Sequence, residues 1–113
     1  MATSRVATTQ LTGTYSLSTI YTVPAGNYGV YNISFTNPTS GPITIRLAVG
    51  ASATPQPSEY IEYGTVIVAN GVFERTGLVL GPLQNIIASS SAGTAGVTSA
   101  VSVNVYGIET STT

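Results

Sequence analysis

The stretch Ile43-Thr44-Ile45-Arg46-Leu47-Ala48-Val49 places an apolar side chain at every second position, and the same period recurs along most of the chain. Tyr31, Ile33 and Phe35 alternate with Asn32, Ser34 and Thr36, and Val101, Val103 and Val105 alternate with Ser102, Asn104 and Tyr106. Successive side chains of a strand point to opposite faces, so a period of two marks strands with one face buried and one solvated. Tyr15, Leu17, Tyr21 and Val23 are expected on one face of a further strand, with Ser16, Ser18 and Thr22 opposite and Ile20 out of phase. No segment carries the 3.6-residue apolar period of a helix.

Turn residues fall between these runs. Pro24-Ala25-Gly26-Asn27, Asn37-Pro38-Thr39-Ser40-Gly41-Pro42, Asn70-Gly71 and Gly81-Pro82 combine Asn and Gly, which accept positive φ, with Pro, which cannot donate to a ladder. Asn70-Gly71, between Val66-Ile67-Val68 and Val72-Phe73, predicts a two-residue hairpin of the primed type. Ala51–Ser58 reads as a longer loop, Ser89–Gly96 as a flexible small-residue loop, and Glu109–Thr113 as a frayed polar tail. The strands expected are 4–9, 14–22, 28–36, 43–49, 59–68, 72–80, 84–90 and 97–107. Seven or eight short strands without helices define an all-β chain, an antiparallel β-sandwich of the jelly-roll kind, with a small closed barrel as competitor. Residues 1–113 are expected to form one domain, with a short N-terminal arm.

The chain has no His, Cys, Lys, Asp or Trp, and its charges are Arg5, Arg46, Arg75, Glu59, Glu62, Glu74 and Glu109. Catalysis usually needs a base or nucleophile of tuned pKa, and metal sites need His, Cys or clustered carboxylates. No catalytic residue, cofactor or metal site is therefore expected. Three scattered Arg cannot neutralise a run of phosphates or hold an anionic membrane surface, so neither nucleic acid nor membrane is expected as a partner. No apolar stretch behind Met1-Ala2-Thr3-Ser4-Arg5 suits a signal peptide, and the absence of Cys fits synthesis in a reducing cytoplasm. Charged residues make up 6% of the chain and the net charge is −1, against about 25% charged residues in an ordinary soluble domain. So little charge favours association.

Within that sparse set, Glu59 and Glu62 lie three apart in an expected strand and so should point to opposite faces. Glu74 and Arg75 are adjacent and should also diverge, while Arg46 should face away from Ile45 and Leu47. Arg–Glu pairing, within the chain or between copies, is the role expected of these charges. Seven Tyr supply most of the aromatic surface, and Tyr60-Ile61-Glu62-Tyr63 should set one Tyr on each face of its strand. Asn32-Ile33-Ser34 matches a glycosylation sequon, but Ile33 is in phase with the core.

Five motifs in order carry a resemblance: Ile20-Tyr21-Thr22-Val23-Pro24-Ala25-Gly26; Asn37-Pro38 with Ile45-Arg46-Leu47-Ala48; Tyr60-Ile61-Glu62-Tyr63-Gly64-Thr65; Glu74-Arg75-Thr76-Gly77; and Val103-Asn104-Val105-Tyr106-Gly107-Ile108-Glu109. In these the chain resembles small virion structural proteins of tailed bacteriophages, notably cyanophages and other marine phages. It departs at Gly81-Pro82, where that pattern has Gly-Asp. The resemblance implies a β-sandwich displayed on a virion. The expected role is a capsid decoration protein, made in the host cytoplasm, that bridges neighbouring subunits of the major capsid protein as a homotrimer. Arg46, Glu62, Tyr63, Glu74 and Arg75 are then expected at interfaces. A tail fibre, baseplate or carbohydrate-binding adhesion protein is the alternative.

Overall fold

The computed structural model describes residues 3–12, 15–91 and 99–111. Eight strands run in order: β1 (Thr3–Thr12), β2 (Ser18–Thr22), β3 (Asn27–Thr36), β4 (Ile43–Gly50), β5 (Tyr60–Ile67), β6 (Val72–Leu80), β7 (Asn85–Ser90) and β8 (Ser99–Ser111). A single 3-10 turn, Pro57–Glu59, precedes β5. They form two antiparallel four-stranded sheets, ordered β1-β8-β3-β6 and β2-β7-β4-β5. Only β4 and β5 are both consecutive and paired; every other connection passes from one sheet to the other. That order is a jelly roll, as the alternation and turn spacing predict.

The inner faces meet in one apolar core. Tyr31, Ile33 and Phe35 of β3, Ile43, Ile45 and Leu47 of β4, and Val101, Val103 and Val105 of β8 are all at most 1% exposed. Each such side chain contributes about 1.5–3 kcal/mol by leaving water, so this layer dominates the stability. Its neighbours include Leu11, Val23, Ile86 and Leu80. At the β3–β4 crossing Asn37, fully buried, donates from Nδ2 to the carbonyls of Gly41, Ile67 and Val68 and accepts from Thr39 N and Oγ1. One amide thereby satisfies a turn that would otherwise bury bare backbone.

Several expectations change at the level of local geometry. In β2 the core side chain is Ile20, while Leu17 is exposed and Tyr21 half-buried. The cause is a bulge: Thr19 and Tyr21 oppose the adjacent residues Ile87 and Ile86, leaving Ile20 as the extra residue. The Asn70-Gly71 hairpin does not form, because β5 and β6 lie in different sheets. The turn instead closes from Gly71 N to Val68 O, and Asn70 alone takes positive φ, at 58°. Ser89 and Ser90 belong to β7 and are buried, and residues 92–96 of the expected small-residue loop, with 97–98 of the expected last strand, lie outside the described residues. The tail expected to fray from Glu109 is strand as far as Ser111.

Edge strands β5 and β6 each carry a glycine bulge. Gly64 (φ 88°) is the extra residue between Tyr63 and Thr65, which oppose Arg46 and Ile45. Gly77 (φ 73°) sits where Arg75 and Leu78 oppose Ile33 and Tyr31, and its N–H donates to Asn32 Oδ1 at 3.1 Å. A Cβ on Gly77 meets open space, so only its backbone conformation opposes substitution. Gly77→Ala should therefore lower stability by about 1–2 kcal/mol in urea unfolding, while Thr76→Ala at the exposed neighbouring position changes it little.

Candidate functional site

The bulges place the charges. Past Gly64 the phase of β5 shifts, so Glu62 faces Leu47 and joins Thr65 on the inner side. Thr65 Oγ1 donates to Glu62 Oε1 at 2.5 Å. Past Gly77 the phase of β6 shifts likewise: Leu78 and Leu80 point inward on one side of the bulge, Phe73 and Arg75 on the other. Arg75 Nη1 then reaches Glu62 Oε2 at 2.5 Å, an ion pair across the seam between the two sheets. The Arg75 side chain is 40% exposed, so water screens the pair and about 0–1 kcal/mol is its expected worth.

Arg46 and Glu74 take the opposite, outward positions. Arg46 stands on the outer face of β4, directly opposite Tyr63. Its guanidinium lies 3.9 Å from the ring centroid of Tyr15 and 4.3 Å from that of Tyr63. Tyr15 reaches this position because its N–H donates to Ser90 O at 2.8 Å, while its hydroxyl bonds that of Thr44. Two aromatic faces thus clamp one cation. Among the described residues the ion pair is Arg75–Glu62, and no carboxylate pairs with Arg46. Glu74 is exposed on the outer face of β6 opposite Ser34 and has no described partner. The five residues expected at interfaces therefore separate into a seam pair, Glu62–Arg75, and outward groups on opposite sheets, Arg46 with Tyr63 and Glu74.

Tyr60 and Tyr63 do not diverge. A second bulge, at Ile61, puts Tyr60 opposite Ala48, on the same outer face as Tyr63. Their rings meet edge to face, 5.0 Å apart at 88°. With Pro55 and Pro57 they line an open groove of about 440 Å³. Glu59 is not in a strand: its Oε1 accepts from Gln56 N at 2.8 Å and its carboxylate packs over Gly50.

Glu109 is the residue that sequence reasoning missed. It is 4% exposed and faces inward from β8, accepting from Tyr31 Oη at 2.8 Å and from Tyr21 Oη. Tyr31 belongs to its own sheet and Tyr21 to the other, so one carboxylate joins the two layers. The signal was present: 109 is in phase with Val101, Val103 and Val105. Gly29 and Gly107 leave room for the Tyr31 ring, which a Cβ at Gly107 would meet at 2.4 Å.

Among the described residues no group of three or more metal-ligating side chains gathers. Neither a protein-family model nor a curated protein matches the chain. The fold is similar to a chain of the acidic stable capsid structure of Helicobacter pylori bacteriophage KHP30, at a TM-score of 0.54 and 13% identity, over 96% of this chain and 94% of that one. The likeness is one of fold, and the phage resemblance read from the motifs rests on the motifs themselves.

Two outcomes follow from this geometry. Burial, then the hydrogen bond and negative charge of Glu109, push Tyr21 up from 10.0 to about 12, and Tyr31 is pushed further up by the same causes. A raised folded-state value means stability is fully present below pH 10 and lost as pH rises through about 12. Thermal unfolding of the wild type should decline over that window, and Tyr21→Phe should start less stable and decline less steeply. At the seam, a double-mutant cycle of Glu62→Gln with Arg75→Gln should give a coupling of about 0.5 kcal/mol that shrinks in high salt.

Proposed function

We propose that this chain is a structural component of a bacteriophage virion, a decoration protein that binds an assembled head and bridges neighbouring subunits of the major capsid protein. The observation that carries the reading is the jelly roll itself, similar over nearly its whole length to a chain of a phage capsid structure. The surface supports it. Val66, Val68, Val72 and Val79 are each more than half exposed on or beside the edge strands, and 6% charged residues leave those faces weakly hydrated. Exposed apolar groups of that kind mark protein contacts.

In this reading the protein is not an enzyme and works by burying its faces against neighbours. Each copy covers roughly 1,000 Å² or more, the threshold for a specific contact. It acts as a homotrimer, so weak contacts to three neighbours combine. It is made in the host cytoplasm and resides in the virion, with no cofactor, nucleic acid or membrane among its partners.

One observation favours a second reading. The groove of Pro55, Pro57, Tyr60 and Tyr63 offers aromatic and proline ring surfaces suited to a sugar face, as in a tail-associated adhesion protein. Quantitative mass spectrometry of purified virions separates the two. A decoration protein should be present in hundreds of copies per particle. A few to dozens of copies, with binding to host glycan that is lost in Tyr63→Ala, would establish the tail reading instead.

A further inference from the structure

The seven charges are not equally satisfied. Arg75 pairs with Glu62, Arg5 Nη1 donates to Asn104 Oδ1 at 3.3 Å, Glu59 holds a turn, and Glu109 holds two tyrosines. Glu74 is left without a described partner, and Arg46 has aromatic partners but no anion. The Arg46 guanidinium lies over the rings of both Tyr15 and Tyr63. Its Nε is buried with no hydrogen-bond partner among the described residues, and a guanidinium is a bidentate donor suited to a carboxylate.

These two charges flank the same side of the sandwich. Arg46 and Tyr63 lie on the outer face of sheet β2-β7-β4-β5 beside edge strand β5, and Glu74 lies on the outer face of sheet β1-β8-β3-β6 on edge strand β6. The Glu62–Arg75 pair joins those edges. Each flank also carries apolar groups: Tyr63 and Val66, 64% and 57% exposed, beside Arg46, and Val72 and Val79, 58% and 72% exposed, on either side of Glu74. A cation set among aromatic and apolar surface faces one way, and an anion set among valines faces the other.

We propose that a second copy of this chain docks its Glu74 flank onto the Arg46–Tyr63 flank of the first, with the β5–β6 edge turned toward a rotation axis. The proposal rests on the self-assembly part of the reading above and names its surface. Because the two flanks lie on opposite faces, one contact uses only one flank of each copy. The contact is head to tail, and copies add until the ring closes. Glu74 set against the Arg46 guanidinium forms a charge-assisted pair, and the surrounding Val and Tyr exclude solvent from it.

The test is charge exchange, read by light scattering after size exclusion and by native mass spectrometry, with thermal unfolding to show that each variant folds. The wild type should be a closed oligomer of the 11.5 kDa chain. Glu74→Arg places two cations in the contact and should weaken association roughly 100-fold or more. Arg46→Glu should do the same, and the double variant should restore the oligomer. Among the described residues the exposed Glu74 side chain has no hydrogen-bond or ion-pair partner, so Glu74→Arg decides the matter even where Arg46→Glu unfolds. An oligomer indifferent to Glu74→Arg, a folded double variant that stays dissociated, or a monomeric wild type overturns the contact. None of these bears on copy number in the virion, which judges the decoration reading separately.

Discussion

A strand has one degree of freedom that matters to its neighbours, the phase of its side chains, and in this protein two glycines reset it. Gly64 and Gly77 hold φ of 88° and 73°, and each adds one residue to an edge strand. Without those insertions Glu62 and Thr65, three apart, would face opposite sides of β5, and Phe73 would be out of phase with Leu78. With them, Glu62 and Arg75 turn into the seam while Tyr63 and Glu74 turn out. The polar seam and the outward charges depend on two backbone conformations that residues with side chains adopt only with strain.

The same dependence explains what could be read from the sequence. Strands without bulges on their core-facing stretch, such as Ile43–Val49 and Tyr31–Phe35, showed their inward faces by alternation alone, and every turn cluster fell between strands. Alternation misassigns faces where a bulge adds one residue. Ile20 was read as out of phase because the bulge beside it was invisible, and Tyr60 and Tyr63 were assigned to opposite faces because Ile61 was counted as an ordinary step. Asn70-Gly71 misled for a different reason. A turn sequence specifies local geometry, whereas the jelly roll sends the chain across to the other sheet, and the turn accommodated by using Ala69-Asn70 as its centre. For the candidate site, Arg46 facing away from the core and the divergence of Glu74 from Arg75 were legible. The aromatic clamp was not, since Tyr15 comes from a segment remote in sequence from Arg46.

Glu109 shows how polar groups can hold a sandwich together without an ion pair. A buried carboxylate is unfavourable unless its charge is met by donors, and here two phenol hydroxyls from different sheets supply them. The Tyr21 and Tyr31 rings, 5.7 Å apart, enclose the arrangement in apolar surface. Asn37 plays the equivalent part at the β3–β4 crossing, where its amide bonds carbonyls of Gly41, Ile67 and Val68. In both places a geometry-demanding polar contact fixes the relation between the two sheets, which apolar packing alone leaves free to slide.

The outward positions of the edge strands are free of that constraint, which bears on how two chains 13% identical can share a fold. The jelly roll requires only that inward positions be apolar, that crossings turn, and that a few polar latches be satisfied. It makes no demand on Arg46, Tyr60, Tyr63, Val72, Glu74 or Val79, which face outward and are half-buried or exposed. A chain this poor in charge would gain solubility by making those positions Lys, Asp or Glu. Instead they present aromatic and β-branched side chains, with one cation on one sheet and one anion on the other. Such a surface suits a protein whose outer faces meet other protein.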